Sequence, residues 1–462
     1  MKLRVGIIFG GSSREREISF AGGRTVYDNL NKSLFEAVPL FIDSFRNFVL
    51  LDWQYIYKGS IRDFYPPVKF IPPSRNGFQV YAESVTDKES FLSIEMINSI
   101  GKKIKIEELN TIIDFAFLCL HGPYGEDGQI QGLLETSGIP YSGSGIFSSA
   151  FGMNKSLQKI LMPAAGFKSP KYFSVGREKI FEERNRDEIF EEVKTKVGFP
   201  CVVKPANQGS SIGVSILENP SAKEFRKALL NAFFIEEIFS EEWKNINNDQ
   251  RVDFVRTLAD IREGIGMPVM VTDALVNPKH VILHPEELMK FIAEQVEKGV
   301  SSVCIEGVDS ESEVIIESFI NGKEFSCIVI RNENGEPVAL PPTEIRKGNR
   351  YFDYRSKYLP GLSRKITPIN LPAEQIEKIR NECERLFLTF GFNVYARIDG
   401  FIKDDGEIFL NDPNTTSGMM PSSFFCHQAA EIGLSPSQFL TYIIRTSLSE
   451  QITLQKIGRA HV

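Results

Sequence analysis

The sequence predicts an α/β protein, with an α+β arrangement in its C-terminal half, and three observations predict this fold class. Leu3 to Phe9 is an apolar run of strand type that reaches Gly10-Gly11 and a polar helix start, as at the opening of a parallel α/β unit. Ile112 to Leu120 is a second apolar run, followed by glycines and polar residues. Near the C-terminus, two apolar-polar runs flank Asp405-Gly406, a dipeptide that favours a tight hairpin turn.

Length and composition bound the class of protein. A chain of 462 residues is too long for one ordinary core and suggests about three domains. Its 42% apolar and 24% charged residues are typical of a globular protein in water. The net charge of -7, without a long basic cluster, gives no electrostatic support to nucleic-acid binding. No apolar run approaches the ~18 residues of a membrane span, so no membrane partner is expected.

The cysteines indicate the compartment. The sequence has six, and they are far apart, without a C-x-x-C pair, and mostly within apolar runs. Such residues are typical of reduced thiols in the core of a cytosolic protein. We therefore expect a cytoplasmic location.

The turn at Asp405-Gly406 predicts how its two strands pair. If these two residues form the loop, the pairs are Phe401 with Leu410, Asp399 with Asp412, and Arg397 with Asn414. Side chains alternate between the two faces of a strand, so the last two pairs are expected to share one face.

The predicted pairing opposes two carboxylates, and like charges repel each other across a ladder. A divalent cation between Asp399 and Asp412, with Asn414 as a third oxygen ligand, would remove this repulsion. Mg²⁺ is usually held by one or two carboxylates together with the phosphates of a substrate. The alternative is a hairpin whose acidic residues face water, which fits Asp404 and Glu407. The hairpin alone leaves both interpretations open.

Polar residues cluster after each of the first two predicted strands. Residues 10–13 lack the G-x-G-x-x-G spacing of a dinucleotide-binding turn, and three charges crowd the helix start that follows. A carboxylate there, Glu15 above all, could hold the ammonium group of a substrate. The second strand leads into His121 and then into three glycines and two acids within residues 122–128. A lone histidine is more often structural, but this group at the C-terminal end of a strand favours a site.

A glycine-rich loop lies between two further predicted strands, at 202–205 and 214–216. The loop, residues 206–213, is called the flap below, because its amides and hydroxyls could cover phosphates. It is not a P-loop, since it lacks the G-x-x-x-x-G-K-[ST] pattern. Lys155 and Lys204 supply the positive charges that a triphosphate needs.

Two stretches carry no functional assignment. Residues 44–110 are rich in aromatic side chains and broken by proline pairs, which predicts loops and hairpins on the first domain. Residues 236–310 are interpreted as a surface insertion with helices near 252–261 and from Pro285 to Gly299. Between the flap and this insertion, a capping box and an apolar face predict a helix over 221–234.

Two other patterns can be explained without a functional site. His280 and His284 lie four residues apart, but no glutamate follows the first and a proline follows the second, so a metal pair is not expected. Residues 351–358 are neither helical nor alternating, and their aromatic and basic side chains are typical of a binding loop or lid. A surface loop anchored by its aromatic residues is the alternative there.

The last six residues, 457–462, have the sequence IGRAHV. The codons ATC-GGA-AGA-GCA-CAC-GTC would encode them and match a sequencing adapter. We therefore expect a non-native tail without function.

Taken together, the sequence resembles the D-alanine–D-alanine ligases, ATP-grasp enzymes of peptidoglycan precursor synthesis. The resemblance covers residues 1 to about 445, with 44–110 and 236–310 as its weak parts. It depends on seven stretches in the order of that family: GGSSREREIS, HGPYGEDGQIQG, GIPYSGSG, VKPANQGSSIGV, FDYRSKY, ARID and DPNTTSGMM.

The resemblance implies a Rossmann-like N-terminal domain, a small lid domain and a C-terminal catalytic domain. The expected bounds are 1–143 for the substrate domain with its 44–110 loop and hairpin insertion, 144–321 for the central ATP-grasp lid domain with its 236–310 helical insertion, 322–456 for the catalytic domain, and 457–462 for the tail. A homodimer is expected.

The resemblance also implies where ATP and metal ions bind. Lys155 and Lys204 would contact the ATP phosphates beneath the flap. The full nucleotide-binding set would be Lys155, Lys204, Gly209, Ser210, Ser211, Gly213, Glu317, Phe319, Ile320 and Glu324. Asp399, Asp412 and Asn414 match the ligands of two Mg²⁺ ions, for which Mn²⁺ could substitute.

The amino-acid substrates are assigned by the same resemblance. Glu15 would bind the ammonium group of the first D-alanine, with His121 beside it. Ser210 and Tyr358 would tie Glu15 to the flap and the lid. The other implied residues are Lys357 and Ser423 for the carboxylate of the second D-alanine, and Arg397 and the Gly418 amide as oxyanion donors.

The implied reaction is phosphoryl transfer to the first D-alanine, followed by attack of the second D-alanine on the acyl phosphate. Three departures from the family pattern stand out: Asn154 for Asp, Asp412 for Glu, and Thr416-Ser417 for Ser-Pro. None removes a required chemical group, although the shorter Asp412 could shift or loosen a metal ion.

Three other functions compete with this one. Related ligases join D-alanine to D-lactate or to another amino acid, but a tyrosine at the Tyr358 position accompanies dipeptide formation. A nicotinamide dehydrogenase would need a glycine fingerprint that is lacking. A non-catalytic nucleotide-binding regulator would be expected to lose Arg397, Lys204 or the Asp399–Asp412 pair, and all of them are present.

Overall fold

The computed structural model describes residues 2–88, 90–180, 185–271, 280–347 and 363–460. For 185–187, 347, 363 and 451–460 it describes the backbone alone. The chain forms four sheets with helices packed against them, so the α/β class predicted from the sequence is confirmed.

A five-stranded sheet in the order β4-β3-β2-β1-β5 opens the chain. Its strands are β1 (Leu3–Gly10), β2 (Phe35–Ile42), β3 (Phe48–Leu51), β4 (Gly101–Ile104) and β5 (Phe115–Leu118). The helices of this part are α1 (Arg16–Asn29), α2 (Phe91–Asn98), α3 (Leu109–Ile112), α4 (Gln129–Thr136) and α5 (Ile146–Met153). β1 pairs in parallel with β2 and β5, which agrees with the parallel α/β unit predicted at the start of the chain, whereas β3 and β4, from the 44–110 stretch, extend the sheet in antiparallel fashion.

The central part of the chain runs from residue 155 to residue 318. Its helices are α6 (Lys155–Ala164), α7 (Asn185–Lys196), α8 (Ala222–Ala232), α9 (Ser240–Asn245), α10 (Asn248–Ala259) and α11 (Pro285–Glu297). Its strands are β6 (Tyr172–Gly176), β7 (Cys201–Pro205), β8 (Ser215–Leu217), β9 (Ile235–Phe239), β10 (Val269–Val271), β11 (Val281–Ile282), β12 (Ser302–Gly307) and β13 (Glu313–Ser318). Strands β6, β13, β7 and β8 form one antiparallel sheet, in that order. The Ser221–Glu224 capping box predicted for α8 is present.

The prediction of a helical insertion over 236–310 is incomplete, because the stretch also contains a sheet. Strands β11, β10, β12 and β9 form an antiparallel sheet there, with α9, α10 and α11 beside it. This sheet and its helices enclose their own apolar core, which includes the fully buried Val255, Leu288 and Ile305. Two of the strands are only two or three residues long, which is too short for an alternation pattern to reveal. We call residues 235–311 the inserted subdomain.

The C-terminal part is built on a six-stranded antiparallel sheet. Its strands are β14 (Lys323–Arg331), β15 (Pro337–Ala339), β16 (Thr343–Lys347), β17 (Ser363–Ile366), β18 (Tyr395–Ile402) and β19 (Ile408–Asn414). Its helices are α12 (Ala373–Thr389), α13 (Phe424–Glu431) and α14 (Pro436–Ala460). Across the described ranges, no helix is both long and apolar enough to pass through a lipid bilayer.

The pairing predicted for the β18–β19 hairpin is partly wrong. Gly406 N–H donates to the carbonyl of Lys403, and Lys403 N–H donates to that of Glu407, so the loop has one residue more than expected. The pairs next to the loop therefore shift, and Phe401 faces Phe409 and Asp399 faces Asn411. A bulge then restores the predicted pair of Arg397 with Asn414. The expected direct opposition of Asp399 and Asp412 does not occur.

Asp412 is the residue that the bulge inserts. Its φ of 49° lies in the left-handed region, which aspartate tolerates better than most residues. Side chains alternate strictly along a regular strand, so a bulge can bring two consecutive residues towards one face. This explains how Asn411 and Asp412 both line the cleft described below.

Candidate active site

A cleft lies where the sheet containing β7 and β13 meets the sheet containing β14, β18 and β19. The space between its walls, including part that opens to solvent, is about 950 Å³, which suits a nucleotide-sized ligand. Most of the residues assigned to ATP and metal ions line it together: Lys155, Lys204, Gly209, Ser210, Ser211, Glu317, Phe319, Ile320, Glu324, Asp399, Asp412 and Asn414. Arg397 lines it as well. The fold thus brings together residues that are up to 259 positions apart, from Lys155 to Asn414.

A buried chain of charges forms one wall of the cleft. Lys204 Nζ lies 2.8 Å from one carboxylate oxygen of Glu317, and Lys159 Nζ lies 2.6 Å from the other. Lys204 also lies 3.5 Å from Asp412 Oδ1, which links β7 to the bulge of the hairpin. Each of these three groups inside the wall, Lys159, Lys204 and Glu317, is at most 5% exposed. Buried charges of this kind persist because they are paired.

The pKa values of Lys159 and Lys204 are shifted in opposite directions. Burial lowers the pKa of Lys159, and the attraction of Glu317 does not fully offset it. Burial also acts against the charged form of Lys204, but Asp412 and Glu317 together outweigh it and raise the pKa. Two cations on one glutamate in turn lower the pKa of Glu317, despite the opposing effect of its burial. Lys204 is therefore held in its charged form at the edge of the cleft.

The side chains predicted to hold metal ions meet in this cleft. Asp399 accepts a hydrogen bond from Ser326 Oγ at 2.7 Å, and its other oxygen lies 3.1 Å from Nη2 of Arg397. The amide of Asn414 donates to the backbone carbonyl of Asp412. In the described part of the chain, no three His, Cys, Asp or Glu side chains gather as metal ligands. Two acids and an amide fit Mg²⁺, which takes hard oxygen ligands and completes its shell with phosphates and water.

Glu15 lies at the start of α1 and meets the flap. Its backbone carbonyl accepts from the amides of Ile18 and Ser19, and its carboxylate accepts a hydrogen bond from Ser210 Oγ. A Cβ atom added to Gly209 would lie only 2.4 Å from Glu15 Oε2, so the flap backbone can approach the carboxylate only because that residue is glycine. Glu15 is 4% exposed. Ser210 itself has a φ of 53°, and it is the flap residue that bridges Glu15 to the cleft.

His121 lies beside the Glu15 carboxylate, at the end of the strand that follows α3. Its Nδ1 atom is 3.6 Å from Glu126, and the side chain is 8% exposed. Burial alone would lower the pKa of His121, but Glu126 and then Glu15 outweigh it, so that the pKa is raised; Arg397 acts in the opposite direction. Glu15, His121 and Arg397 thus share one electrostatic environment.

We expect the imidazole of His121 to titrate above the ordinary histidine value of about 6.5. His284 and His427 should titrate below that value, since burial lowers the pKa of both. Replacing Glu126 by glutamine should move the His121 midpoint downwards. An NMR titration of the histidine C–H resonances measures all three, and a His121 midpoint below those of the other two would contradict the assignment.

The raised pKa of His121 also makes the stability of the folded protein depend on pH. The Glu126 interaction favours charged His121, so its contribution is fully present below about pH 6.5 and is lost as the pH rises through the higher folded-state pKa. The difference in Tm between wild type and Glu126→Gln should therefore shrink from about pH 6 to pH 9.

The remaining predicted site residues lie around the cleft or outside the described ranges. Gly213 closes the flap with a φ of 71°, and Gly418 lies in the loop after β19. Ser423 is buried and caps α13, where its hydroxyl accepts from the amide of Cys426. Lys357 and Tyr358 lie outside the residues that the structure describes, as does the whole predicted loop 351–358.

The profile described as "D-ala D-ala ligase N-terminus" matches residues 4–144. The profile described as "D-ala D-ala ligase C-terminus" matches residues 161–274 and 294–445. Together they cover most of the chain. The chain belongs to the D-alanine–D-alanine ligase family.

Curated relatives and solved structures match the chain over nearly its whole length. A D-alanine–D-alanine ligase of Geobacillus thermodenitrificans is 27% identical over 458 residues, which cover 99% of this chain and 98% of that protein. The crystal structure of the Bacillus anthracis ligase is 25% identical, with a TM-score of 0.56 and coverage of 98% of this chain and 99% of that one. The VanG D-Ala:D-Ser ligase of Enterococcus faecalis shares the fold, with 23% identity, a TM-score of 0.61 and coverage of 97% and 100%.

Sequence reasoning missed four residues of this ligase-family site. They are Lys159, which holds Glu317; Asn411, whose side-chain oxygen lies 3.4 Å from Lys159 Nζ; Ser326, which holds Asp399; and Arg14, which precedes Glu15. A signal existed for Lys159, since it follows Lys155 by four residues and shares its face of α6. Asn411 had no such signal, because the expected two-residue turn would not have placed it opposite Asp399.

Three departures from the family pattern have a structural account. Asn154 caps α6, and its side-chain oxygen accepts from the amide of Leu157 at 2.8 Å, which an aspartate would also do. Asp412 is shorter than glutamate, and it lies beside Lys204 on the bulge. Thr416 and Ser417 are both buried and line no part of the cleft.

Proposed function

We propose that the chain joins two D-alanines at the expense of ATP, through an acyl phosphate, and releases D-alanyl-D-alanine, ADP and phosphate. One observation carries the proposal beyond family membership. The cleft places the Lys155 and Lys204 ammonium groups and the Asp399, Asp412 and Asn414 oxygens around one space, and Ser210 connects it to Glu15. Glu15 is a buried carboxylate where the ammonium group of an amino-acid substrate is needed.

The first step transfers the γ-phosphoryl group of ATP to the carboxylate of the first D-alanine. Lys155 begins α6, and its Nζ donates to the carbonyl of Gln208 at 2.6 Å, so that it lies under the flap. Lys155 and Lys204 offset the charge that develops on the phosphate oxygens. Glu15 holds the ammonium group, which orients the carboxylate of the same D-alanine towards the phosphate. Positioning and charge provide most of the catalysis in phosphoryl transfer.

The second step is attack of the amine of the second D-alanine on the acyl phosphate carbon. A tetrahedral oxyanion forms, and the Arg397 guanidinium with the Gly418 amide would stabilise it as donors. The carbon–oxygen bond to phosphate then breaks, phosphate leaves, and the attacking amine loses its proton. The flap over Glu15 would exclude water, which would otherwise hydrolyse the acyl phosphate.

Mg²⁺ would be held by Asp399, Asp412 and Asn414, and when bound it would neutralise the negative charge of the phosphates. Ser326 and Arg397 keep the Asp399 carboxylate in place. Lys204 shares Asp412 with the metal site, so the positive charges on the two sides of the nucleotide are coupled.

Four expectations remain predictions. They are the use of ATP, the binding of Mg²⁺ with Mn²⁺ as a substitute, the homodimer and the cytoplasmic location.

Release of ADP with D-alanine, ATP and Mg²⁺ tests the proposal, with chromatographic detection of the dipeptide. We expect ADP and D-alanyl-D-alanine in equal amounts, no product with L-alanine, and loss of activity when EDTA removes the metal. Parallel reactions that add D-lactate or D-serine to D-alanine test the second substrate. A mixed product that exceeds the dipeptide would overturn the choice of D-alanine, and ADP release that does not depend on any D-amino acid would overturn the ligase reaction.

A further inference from the structure

The Arg14 guanidinium is buried in a site formed by the inserted subdomain. We call this site, made by the acceptors below, the seat of Arg14. The guanidinium donates to three backbone carbonyls, those of Ile261 at 3.1 Å, Gly264 at 3.3 Å and Ile265 at 2.8 Å. A fourth bond, of 2.6 Å, reaches Asp309 Oδ1. Arg14 is only 1% exposed although it carries a charge, and burial lowers its pKa despite the attraction of Asp309. A buried arginine with this many acceptors fixes the relative position of the two segments that it joins.

The backbone around the guanidinium is shaped to admit it. A Cβ atom on Gly307 would lie 3.0 Å from Nη2 of Arg14, and one on Gly266 would lie 3.5 Å from Nη1. Phe234, at the edge of the inserted subdomain, places its ring 3.7 Å from the guanidinium carbon. A cation over an aromatic face is attracted more strongly when it is buried. The planar guanidinium is therefore packed between the backbone at Gly307 and the ring of Phe234.

The same seat reaches the flap at its far end. A Cβ atom on Gly213 would lie 3.2 Å from Cε1 of Phe234, so this end of the flap packs against the ring that covers Arg14. Ile212 of the flap is 1% exposed and belongs to the apolar core of the inserted subdomain, together with Phe234 and Ile265. The near end of the flap, Gly209 and Ser210, rests on Glu15. Consecutive residues at the start of α1 thus hold the two ends of the flap.

We propose that Arg14 is a positioning residue of the ligase reaction, which docks the inserted subdomain so that the flap closes over Glu15 and the reacting groups. The proposal rests on the proposed function. Arg14 touches no substrate; it acts through Phe234, Ile212 and the flap backbone. The inserted subdomain thus contributes to flap closure, because its apolar core buries Ile212 at the far end of the flap.

Loss of the docking has a chemical signature. A loosened flap admits water, which attacks the acyl phosphate, breaks its carbon–oxygen or phosphorus–oxygen bond, and returns free D-alanine and phosphate. Phosphate is then released without dipeptide. A purely structural role for Arg14 would lower the amount of folded protein but would leave one phosphate per dipeptide.

The first measurement needs no activity. Hydrogen exchange is compared between wild type and Arg14→Met for the flap amides, including Ile212 N–H with its bond to the Gly209 carbonyl, and for Val214 N–H, which donates to the flap carbonyl of Ser211. We expect exchange to quicken by about tenfold or more in the flap. Arg14→Lys should give a smaller change, because an ammonium group cannot reproduce the guanidinium fork. Phe234→Leu, which keeps the Arg14 bonds, should also quicken exchange near Gly213.

The matched control is Glu286→Ala. Glu286 on α11 also ties the inserted subdomain to the N-terminal part, since it accepts from Ser74 Oγ at 2.7 Å and from the backbone and side-chain amides of Asn76 at 2.8 Å each. It does not touch the flap. Glu286→Ala should therefore leave flap exchange and the phosphate-to-dipeptide ratio as in wild type.

The second measurement is that ratio, which we expect to rise from one to about two or more in Arg14→Met. Unchanged flap exchange in Arg14→Met would overturn the proposal, and so would equal effects of Arg14→Met and Glu286→Ala. If Arg14→Met fails to fold, unchanged exchange in Phe234→Leu overturns it instead. A wild type that makes no dipeptide refutes the proposed function, whereas the exchange comparison still decides whether Arg14 holds the flap.

Discussion

Arg397→Ala is expected to lower the rate of dipeptide formation by about 10²–10³-fold, while KM for ATP stays close to the wild-type value. Arg397 lies on β18, lines the cleft and is 13% exposed at its side chain. A donor aimed at the oxyanion of the second step acts only when that charge develops, so its loss lowers kcat rather than substrate binding. Steady-state kinetics with each substrate varied in turn measure the two effects separately.

A second effect of this substitution must be separated from the first. Nη2 of Arg397 lies 3.1 Å from Asp399, so its removal could act by moving a metal ligand. A titration of activity against Mg²⁺ distinguishes the two, because a displaced Asp399 raises the Mg²⁺ concentration needed for half-maximal rate. Arg397→Lys keeps a positive charge next to Asp399 and should restore the Mg²⁺ dependence but only part of kcat. Wild-type turnover in Arg397→Ala would refute its role.

Lys204→Met should raise KM for ATP by about 10- to 150-fold, the effect of losing one charge-assisted hydrogen bond of about 1.5–3 kcal/mol. Lys204 is 3% exposed and holds its charge between Glu317 and Asp412, at the edge of the cleft where the phosphates are expected. Methionine keeps the length and apolar stem of lysine, so the change removes the ammonium group with little loss of packing.

Lys159→Met provides the matched control. Lys159 is 5% exposed and pairs with the same glutamate, at 2.6 Å from its second oxygen, but it does not line the cleft. Both variants should lower Tm, because each removes one of two cations from a buried carboxylate. A large rise in KM for ATP is expected in Lys204→Met alone. Equal KM values in the two variants would show that Lys204 acts through stability and not through the nucleotide.

The charged residues at the start of α1 show how one short segment serves three purposes. Arg14 enters the inserted subdomain, Glu15 meets the flap, and Arg16 forms a salt bridge to Glu83 in the 44–110 stretch, with its guanidinium 4.6 Å from the Tyr81 ring. The sequence shows that three charges follow one another there. Their separate partners lie 65 to 295 residues away and become visible only in the folded chain.

The sequence alone determined the ligase family, the parallel strands β1 and β5 with their polar ends, and the lysines around the flap. These features depend on local patterns, such as apolar runs, glycine turns and charged residues at fixed spacing. Such patterns can be interpreted without knowledge of the rest of the fold. The predicted pair of Arg397 and Asn414 is present for a different reason, because the extra loop residue and the bulge shift the register in opposite directions.

Only the tertiary structure decided the details that place the charges. The longer loop sets Asp399 opposite Asn411 and the bulge adds Asp412 beside it, and neither a two-residue turn nor strict alternation predicts this. The pairing of Lys159 and Lys204 with one glutamate, and the seat of Arg14, join residues from distant strands and helices. A buried charge must find its partner wherever packing places one, and that location is a property of the whole fold rather than of any neighbouring residues.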